Sequence, residues 1–205
     1  MICEFTGDMH DEGPFVDLTE TPDIIRKQPV ARIKRIFIRE DSVFHALLPS
    51  GPEHKVLMGM PREPTIFNSV NKIVECKDFF MTHGVWSWLH GAVSIKKKNE
   101  DDGLKAIDAA FEGHKSMKHV WIVDDDIDVT NPADIEWAMA TRFQADKGIV
   151  IKTGVKGSSL DPSANPETRG TVKVGFDCTM PLNRDRSDFS KTKPGMKVEL
   201  EEYLD

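Results

Sequence analysis

Residues 91 to 154 alternate between a strand-like and a helix-like hydrophobic period, and this constrains the fold more than any other feature of the chain. "GAVSIKKK" (91–98) reads as a strand. "DDGLKAIDAAFEG" (101–113) reads as a helix with Leu104, Ile107, Ala110 and Phe111 on one face, and "HVWIVDDD" (119–126) as a buried strand. "NPADIEWAMATRFQ" (131–144) reads as a helix with Asn131 as N-cap, Pro132 at the first helical position and Asp134 in the first turn. "GIVIKTG" (148–154) is a third strand. Strand, helix, strand, helix, strand in succession predicts an α/β fold: a small βαβαβ domain with a parallel sheet and right-handed crossovers.

The flanks read differently. Residues 1–28 are rich in Gly, Pro, Asp, Glu and Thr and read as loop with at most short strands. "PVARIKRIFIRED" (29–41) predicts a strand wetted on one side, and "SVFHALLPSGPEHK" (42–55) a second short strand ending in a Ser-Gly-Pro turn. A few strands without a helix do not make a stable core, so this segment is expected to complete a sheet supplied elsewhere. A boundary falls near "GMPREPT" (59–65). Beyond it Ile66, Phe67, Val70, Ile73 and Val74 recur at helical spacing, predicting an amphipathic linking helix over 65–79. After 155 the sequence is rich in turns. "TVKVGFDCTM" (171–180) predicts a further strand, and the charged tail, ending "VELEEYLD", is expected to be a flexible arm or a docking helix.

A formal net charge of -7 and a pI near 5.5 disfavour a general nucleic-acid role. Cys3, Cys76 and Cys178 are far apart and form no CxxC pair, which predicts free thiols in a reducing compartment and no zinc site. No basic-then-apolar leader is present at the start, and no apolar run approaches the ~20 residues of a membrane span. The expected location is cytoplasmic.

Several motifs carry possible chemistry. Asp124, Asp125, Asp126 and Asp128 follow a predicted parallel strand, at the edge where open α/β sheets bind ligands. They fit three roles: bonding loop amides and favouring the next helix N-terminus, an interface role, or Mg²⁺ chemistry. Asp126 to Thr130 also has the DxDxT form, similar to the first motif of haloacid-dehalogenase-type phosphatases, whose further lysine and acidic pair have no counterpart placed here. The histidines at 45, 54, 83, 90, 114 and 119 lack metal-ligand spacing and read as surface or hydrogen-bonded groups, and Trp121 and Trp137 as core. No GxGxxG, GxxxxGK[ST] or GxSxG occurs. "GVKGSSLDPS" (154–163) offers only a weak phosphate-binding loop. Near the start, "EGPFVD" places Glu12 and Asp17 around a Gly-Pro turn that forbids a helix, with Phe15 between them. A carboxyl beside an apolar wall or a second carboxyl holds its proton more tightly, as a proton donor at neutral pH must.

"EGPFVDLT", "RKQPVARIKRIFIRED", "HALLPSGPEHKVLMGMPREP", "VDDDIDV", "EWAMATRFQ" and "GSSLDPS" occur in this order, and together the chain resembles the C-terminal half of UbiD-type decarboxylases over about residues 4 to 180. The resemblance implies residues 1–60 as the C-terminal part of a split β-barrel flavin/catalytic domain, and residues 61–205 as linking helix plus α/β oligomerisation domain with a flexible tail. It implies non-oxidative decarboxylation of an aromatic or α,β-unsaturated acid. Prenylated hydroxybenzoates, simple phenolic acids and an unsaturated isoprenoid-pathway acid all fit that class. It also implies prenylated FMN with a divalent metal and K⁺. Glu12 would orient a catalytic arginine and Asp17 would donate the proton. Aspartate at the second place is a familiar variant, whereas Val16 departs from the usual glycine.

In the family the arginine and the flavin and metal ligands lie upstream of the glutamate. They are therefore expected from an N-terminal part or partner subunit, and the isolated chain is expected to be inactive. A homo-oligomer through the α/β domain is also implied. The alternatives are a non-catalytic oligomerisation module, or a Mg-dependent phosphatase-like hydrolase using residues 126–130.

Overall fold

The computed structural model describes residues 1–82 and 88–192. His83, Trp86 and the end of the tail, with its expected docking helix, lie outside the described residues.

The α/β expectation holds. Five strands form one sheet in the order β3 (Cys76–Met81), β4 (His90–Ile95), β5 (His119–Asp124), β7 (Gly170–Cys178), β6 (Ile149–Lys156). Helix α2 (Glu63–Asn71) and helix α3 (Asp102–Gly113) cover one face, and α4 (Pro132–Arg142) the other. Side chains alternate across β5: Val120 and Ile122 enter the core under α2 and α3, while Trp121 and Val123 face the α4 side. Trp121 stacks on Phe176 of β7 at 5.6 Å, as core packing requires. Gly175 of β7 lets α3 approach closely, because a Cβ there would lie 2.3 Å from Ile107 Cγ2.

Helix α3 starts on a local hydrogen-bond device. Asp102 Oδ2 accepts from the amides of Lys98 (2.8 Å) and Asn99 (2.9 Å), which suits a carboxylate at a helix N-terminus. Asn131 caps α4 by accepting from the Ala133 amide at 3.1 Å, with Pro132 in the first turn.

The sheet is mixed rather than all parallel. β4 pairs β5 in parallel through the α3 crossover, and β5 pairs β7 in parallel, but β6 runs antiparallel to β7 at the sheet edge. The third strand of the expected βαβαβ unit is thus displaced outward, because β7 takes the central place beside β5. The linking helix also ends earlier than its apolar spacing predicts. Val74 is buried and Ile73 exposed after the helix has ended, and residues 76–79 belong to β3, which pairs antiparallel with β4.

Residues 1–28, expected to be loop with at most short strands, hold an eleven-residue strand. β1 (Ile2–Glu12) and β2 (Arg26–Arg35) form a long antiparallel hairpin arm, nearly all of it exposed. Beyond β2 no second strand forms. Residues 36–51 are irregular, and α1 (Pro52–Gly59) then leads through a short 3₁₀ turn into α2. Apolar side chains of this irregular segment face solvent: Ile38 is 73% exposed, Val43 94% and Phe44 89%. A two-stranded ribbon is marginal by itself, and an apolar surface of this kind marks a contact with something else.

Candidate active site

Between β1 and β2 the chain forms a small secondary hairpin. Asp23 N donates to the Phe15 carbonyl at 2.8 Å, Val16 and Pro22 form an antiparallel bridge, and Asp17 N donates to the Thr21 carbonyl at 3.2 Å. Directly opposed residues share a face, and so do residues two apart on a strand. Phe15, Asp17, Thr21 and Asp23 therefore line one side of this turn. Glu20, at its tip, adopts φ of 61° and is tied to Lys55 of α1 by an ion pair. Leu18 is fully buried and anchors the turn.

This face opens on a cleft of about 220 Å³. Asp17, Thr19, Thr21 and Asp23 line one wall, and Asp161 and Arg169, from the loop between β6 and β7, line the other. Glu12 is not in the lining. It is the last residue of β1, exposed, and lies opposite Arg26 in the β1–β2 register. Arg26 turns instead to Asp23, with Nη2 to Oδ1 at 2.6 Å. The structure therefore brings Asp17 together with Asp23, a residue that spacing from "EGPFVD" did not single out. The signal that finds it is the bridge register, which only the folded turn supplies. Asp23 is 8% exposed, and its Oδ2 is buried without a hydrogen-bond partner among the described residues.

The opposite wall is well tied. Asp161 accepts from Lys118 Nζ at 2.9 Å, the Ser163 amide at 3.0 Å and Thr171 Oγ1 at 3.0 Å. These bonds hold the Asp161 carboxyl below the usual carboxylate range against the opposing effect of its burial. Lys118 precedes β5 and Thr171 lies in β7, so "GSSLDPS" works as a tether that fixes the β6–β7 loop at the N-terminal edge of the parallel strands.

The aspartate cluster lies at the opposite, C-terminal edge and is built into structure. Asp126 receives two parallel bonds from Arg142, which keep its carboxyl below the ordinary range. Arg142 Nη1 also bonds Asp124 Oδ2 at 2.8 Å, and that oxygen accepts the Met180 amide at 2.9 Å. Burial pushes the Asp124 carboxyl up. Asp125 pairs with Arg186, and Asp128 accepts from the amide and hydroxyl of Thr130. Both oxygens of Asp126, the residue that the DxDxT form would use as nucleophile, are thus engaged by Arg142. A wider cleft of about 650 Å³ lies beside it, with Arg142 and Asp177 in its lining.

His90 and His119 face each other across β4 and β5 with ring nitrogens 2.7 Å apart, and His114 bonds the Trp88 carbonyl at 3.0 Å. Among the described residues no group of three or more His, Cys, Asp or Glu is arranged to hold a metal ion, and no helix is long and apolar enough to cross a membrane.

Comparison with known proteins gives this geometry a family. Residues 55–178 match the model of the 3-octaprenyl-4-hydroxybenzoate carboxy-lyase C-terminal domain, and residues 4–52 that of the 3-octaprenyl-4-hydroxybenzoate carboxy-lyase Rift-related domain. Fold and matches together define a carboxy-lyase C-terminal α/β domain preceded by part of a Rift-related domain. The chain belongs to the UbiD family of carboxy-lyases.

It is 51% identical over 187 residues to the anhydromevalonate phosphate decarboxylase of Methanocaldococcus jannaschii, covering 91% of this chain and 44% of that one. The UbiD-class enzyme HmfF from Pelotomaculum thermopropionicum, solved in complex with FMN, superposes with a TM-score of 0.88 at 34% identity, covering 97% of this chain and 45% of the other. An evolved dimeric form of the same enzyme, in complex with prFMN, gives a TM-score of 0.79 at 31% identity over 97% of this chain and 42% of that one. The chain thus spans less than half the length of these relatives.

Proposed function

We propose that this chain is the C-terminal part or subunit of a UbiD-type decarboxylase that removes carbon dioxide from an α,β-unsaturated acid, of the kind named for its anhydromevalonate phosphate relatives. Residues 1–60 complete a split-barrel catalytic domain and residues 61–205 carry the linking helix and the α/β domain used for self-association. The observation that carries this reading is the arm itself. The hairpin that bears Glu12 and leads to Asp17 stands with Phe5, Met9 and Ile33 uncovered, the irregular segment after it with Ile38, Val43 and Phe44 uncovered, and such a surface calls for a covering chain.

In this reading Asp17 delivers the proton to the carbon that has lost carbon dioxide, and Glu12 orients an arginine supplied by the covering chain. The Asp17 wall suits such a transfer, since Phe15 supplies an apolar neighbour on the same face. The described residues do not fit a flavin and its metal by themselves: no metal-binding cluster exists among them and no glycine-rich phosphate cradle leads into a helix. Those ligands belong to the covering part.

Native mass spectrometry of the protein from its own cells tests the proposal. A complex with a larger partner and a flavin-sized ligand supports it, and Asp17→Asn in that complex abolishes turnover. Turnover by the isolated chain, or a homo-oligomer lacking partner and flavin, overturns it; the latter leaves an assembly module.

A further inference from the structure

Among the described residues, the cleft beside Asp17 has in its lining one cation, Arg169, that no ion pair engages. Lys118 is neutralised by Asp161, and Arg26 by Asp23. Arg169, on the facing wall, has its backbone fixed: its amide donates to the Asn165 carbonyl at 2.9 Å and its carbonyl accepts from Gly157 at 2.8 Å. Its guanidinium has no partner among the described residues. The residue is half-buried, and its φ of 60° is a strained backbone state for a side chain of this size. On the near side Asp23 Oδ2 is buried without a donor among the described residues, a condition that bound water or a hydroxyl of a bound molecule relieves, not its anionic group.

We propose that Arg169 grips a second anionic group of the substrate, a phosphate monoester, and so selects phosphorylated unsaturated acids over their free alcohols. This rests on the reading of Asp17 as proton donor. A substrate whose reacting carbon reaches Asp17 extends its far end across the same cleft to Arg169. The guanidinium is the side chain suited to a phosphate, since its planar fork gives two parallel bonds and it stays charged at all working pH values. Two of the nearby acids carry a cation of their own, Asp161 with Lys118 and Asp23, through Oδ1, with Arg26. Thr19, Thr21 and Ser159 add hydroxyls to the walls.

Two measurements test this. In the assembled enzyme, Arg169→Gln raises KM for the phosphorylated acid by about 10- to 100-fold, the worth of a charge-assisted bidentate contact, with kcat little changed and no effect on the unphosphorylated acid. Arg169→Lys keeps the charge but not the fork and falls between. Arg169→Gly gives the loss seen with Arg169→Gln and suits the left-handed backbone, so misfolding does not explain it. Unchanged KM, or equal losses on both acids, overturns the proposal while the decarboxylase reading stands.

Methyl phosphate titrated into the full chain, followed by backbone NMR, reads the site without turnover. Shifts around residues 17–23 and 157–170 that vanish in Arg169→Gln support the anion site even if no assembled complex decarboxylates either acid, in which case the decarboxylase reading alone fails. No shifts, or the same shifts in the variant, overturn the site.

Discussion

Arg142 holds Asp126 in a fork, Nη1 to Oδ1 at 2.9 Å and Nη2 to Oδ2 at 2.8 Å, while the same Nη1 reaches Asp124 and Nη2 the carbonyl of Phe189. Arg142 is completely buried, so this network joins the end of β5, α4 and the segment after β7 without help from solvent. Removing the arginine leaves buried carboxylate behind. Arg142→Met is expected to destabilise the chain by about 3–5 kcal/mol in chemical denaturation. Asp126→Asn keeps the shape and is expected to cost less. It leaves decarboxylation by the assembled enzyme near wild type, whereas an activity centred on residues 126–130 would disappear with it.

Asp17→Asn removes the proposed donor without changing side-chain size. In the assembled enzyme kcat is expected to fall by a factor of about 10² or more, with the partner and the flavin absorbance retained. Glu12→Gln, at the end of β1, is expected to lower kcat as well. A wild-type rate in Asp17→Asn would remove Asp17 from the mechanism.

Stability should fall with acid in a window set by buried histidines. Burial lowers both His90 and His114 to about 4 in the folded chain, from an ordinary value near 6.5. Between those values the unfolded chain binds protons that the folded one refuses, so the stabilisation is complete above about pH 6.5 and is lost as pH falls towards 4. A buried histidine of this kind gives a slope of at most about 1.4 kcal/mol per pH unit. His114→Gln, neutral at every pH, should flatten the unfolding free energy against pH between 7 and 4. An unchanged slope would show that His114 does not contribute.

Gly175→Ala places a methyl group where Ile107 of α3 already sits, 2.3 Å from its Cγ2. The overpacking is expected to cost about 1–3 kcal/mol and to lower Tm, because α3 must lift from β7. Gly154→Ala, where a Cβ meets nothing within 4 Å but φ is 65°, separates backbone strain from crowding and should cost less.

The uncovered segment predicts a loss in two readouts. Phe44→Asp or Ile38→Asp should reduce self-association of the isolated chain in size-exclusion chromatography and abolish capture of the covering subunit. Loss of neither would mean that the segment is not the contact.

Much of the α/β domain is legible in the sequence because its signals are local. The apolar face of α3, the Asn131-Pro132 start of α4 and the alternation in β5 each follow from neighbours a few residues apart, and the structure places these elements within a few residues of the reading. The α/β class and the uncovered character of the arm follow as well. Long-range pairing is another matter. Cys76 and Phe79 are apolar at a three-residue spacing that fits a helix face, and the vacant edge of β4 decided for a strand. The direction of β6 depended on which strand took the place beside β5, and the return of the chain through the 157–169 loop put β7 there.

The site divides in the same way. The sequence by itself determined which acids are available near the start, Glu12 and Asp17, through family-like words in a Gly-Pro turn. Tertiary structure decided that Asp17 rather than Glu12 lines a cleft, that Asp23 joins it, and that Arg169 faces it from more than a hundred residues away. The physical reason is the range of the forces. Capping, turn chemistry and hydrophobic period act between near neighbours, whereas a cleft exists only after two loops from distant parts of the chain have been fixed by their own hydrogen bonds.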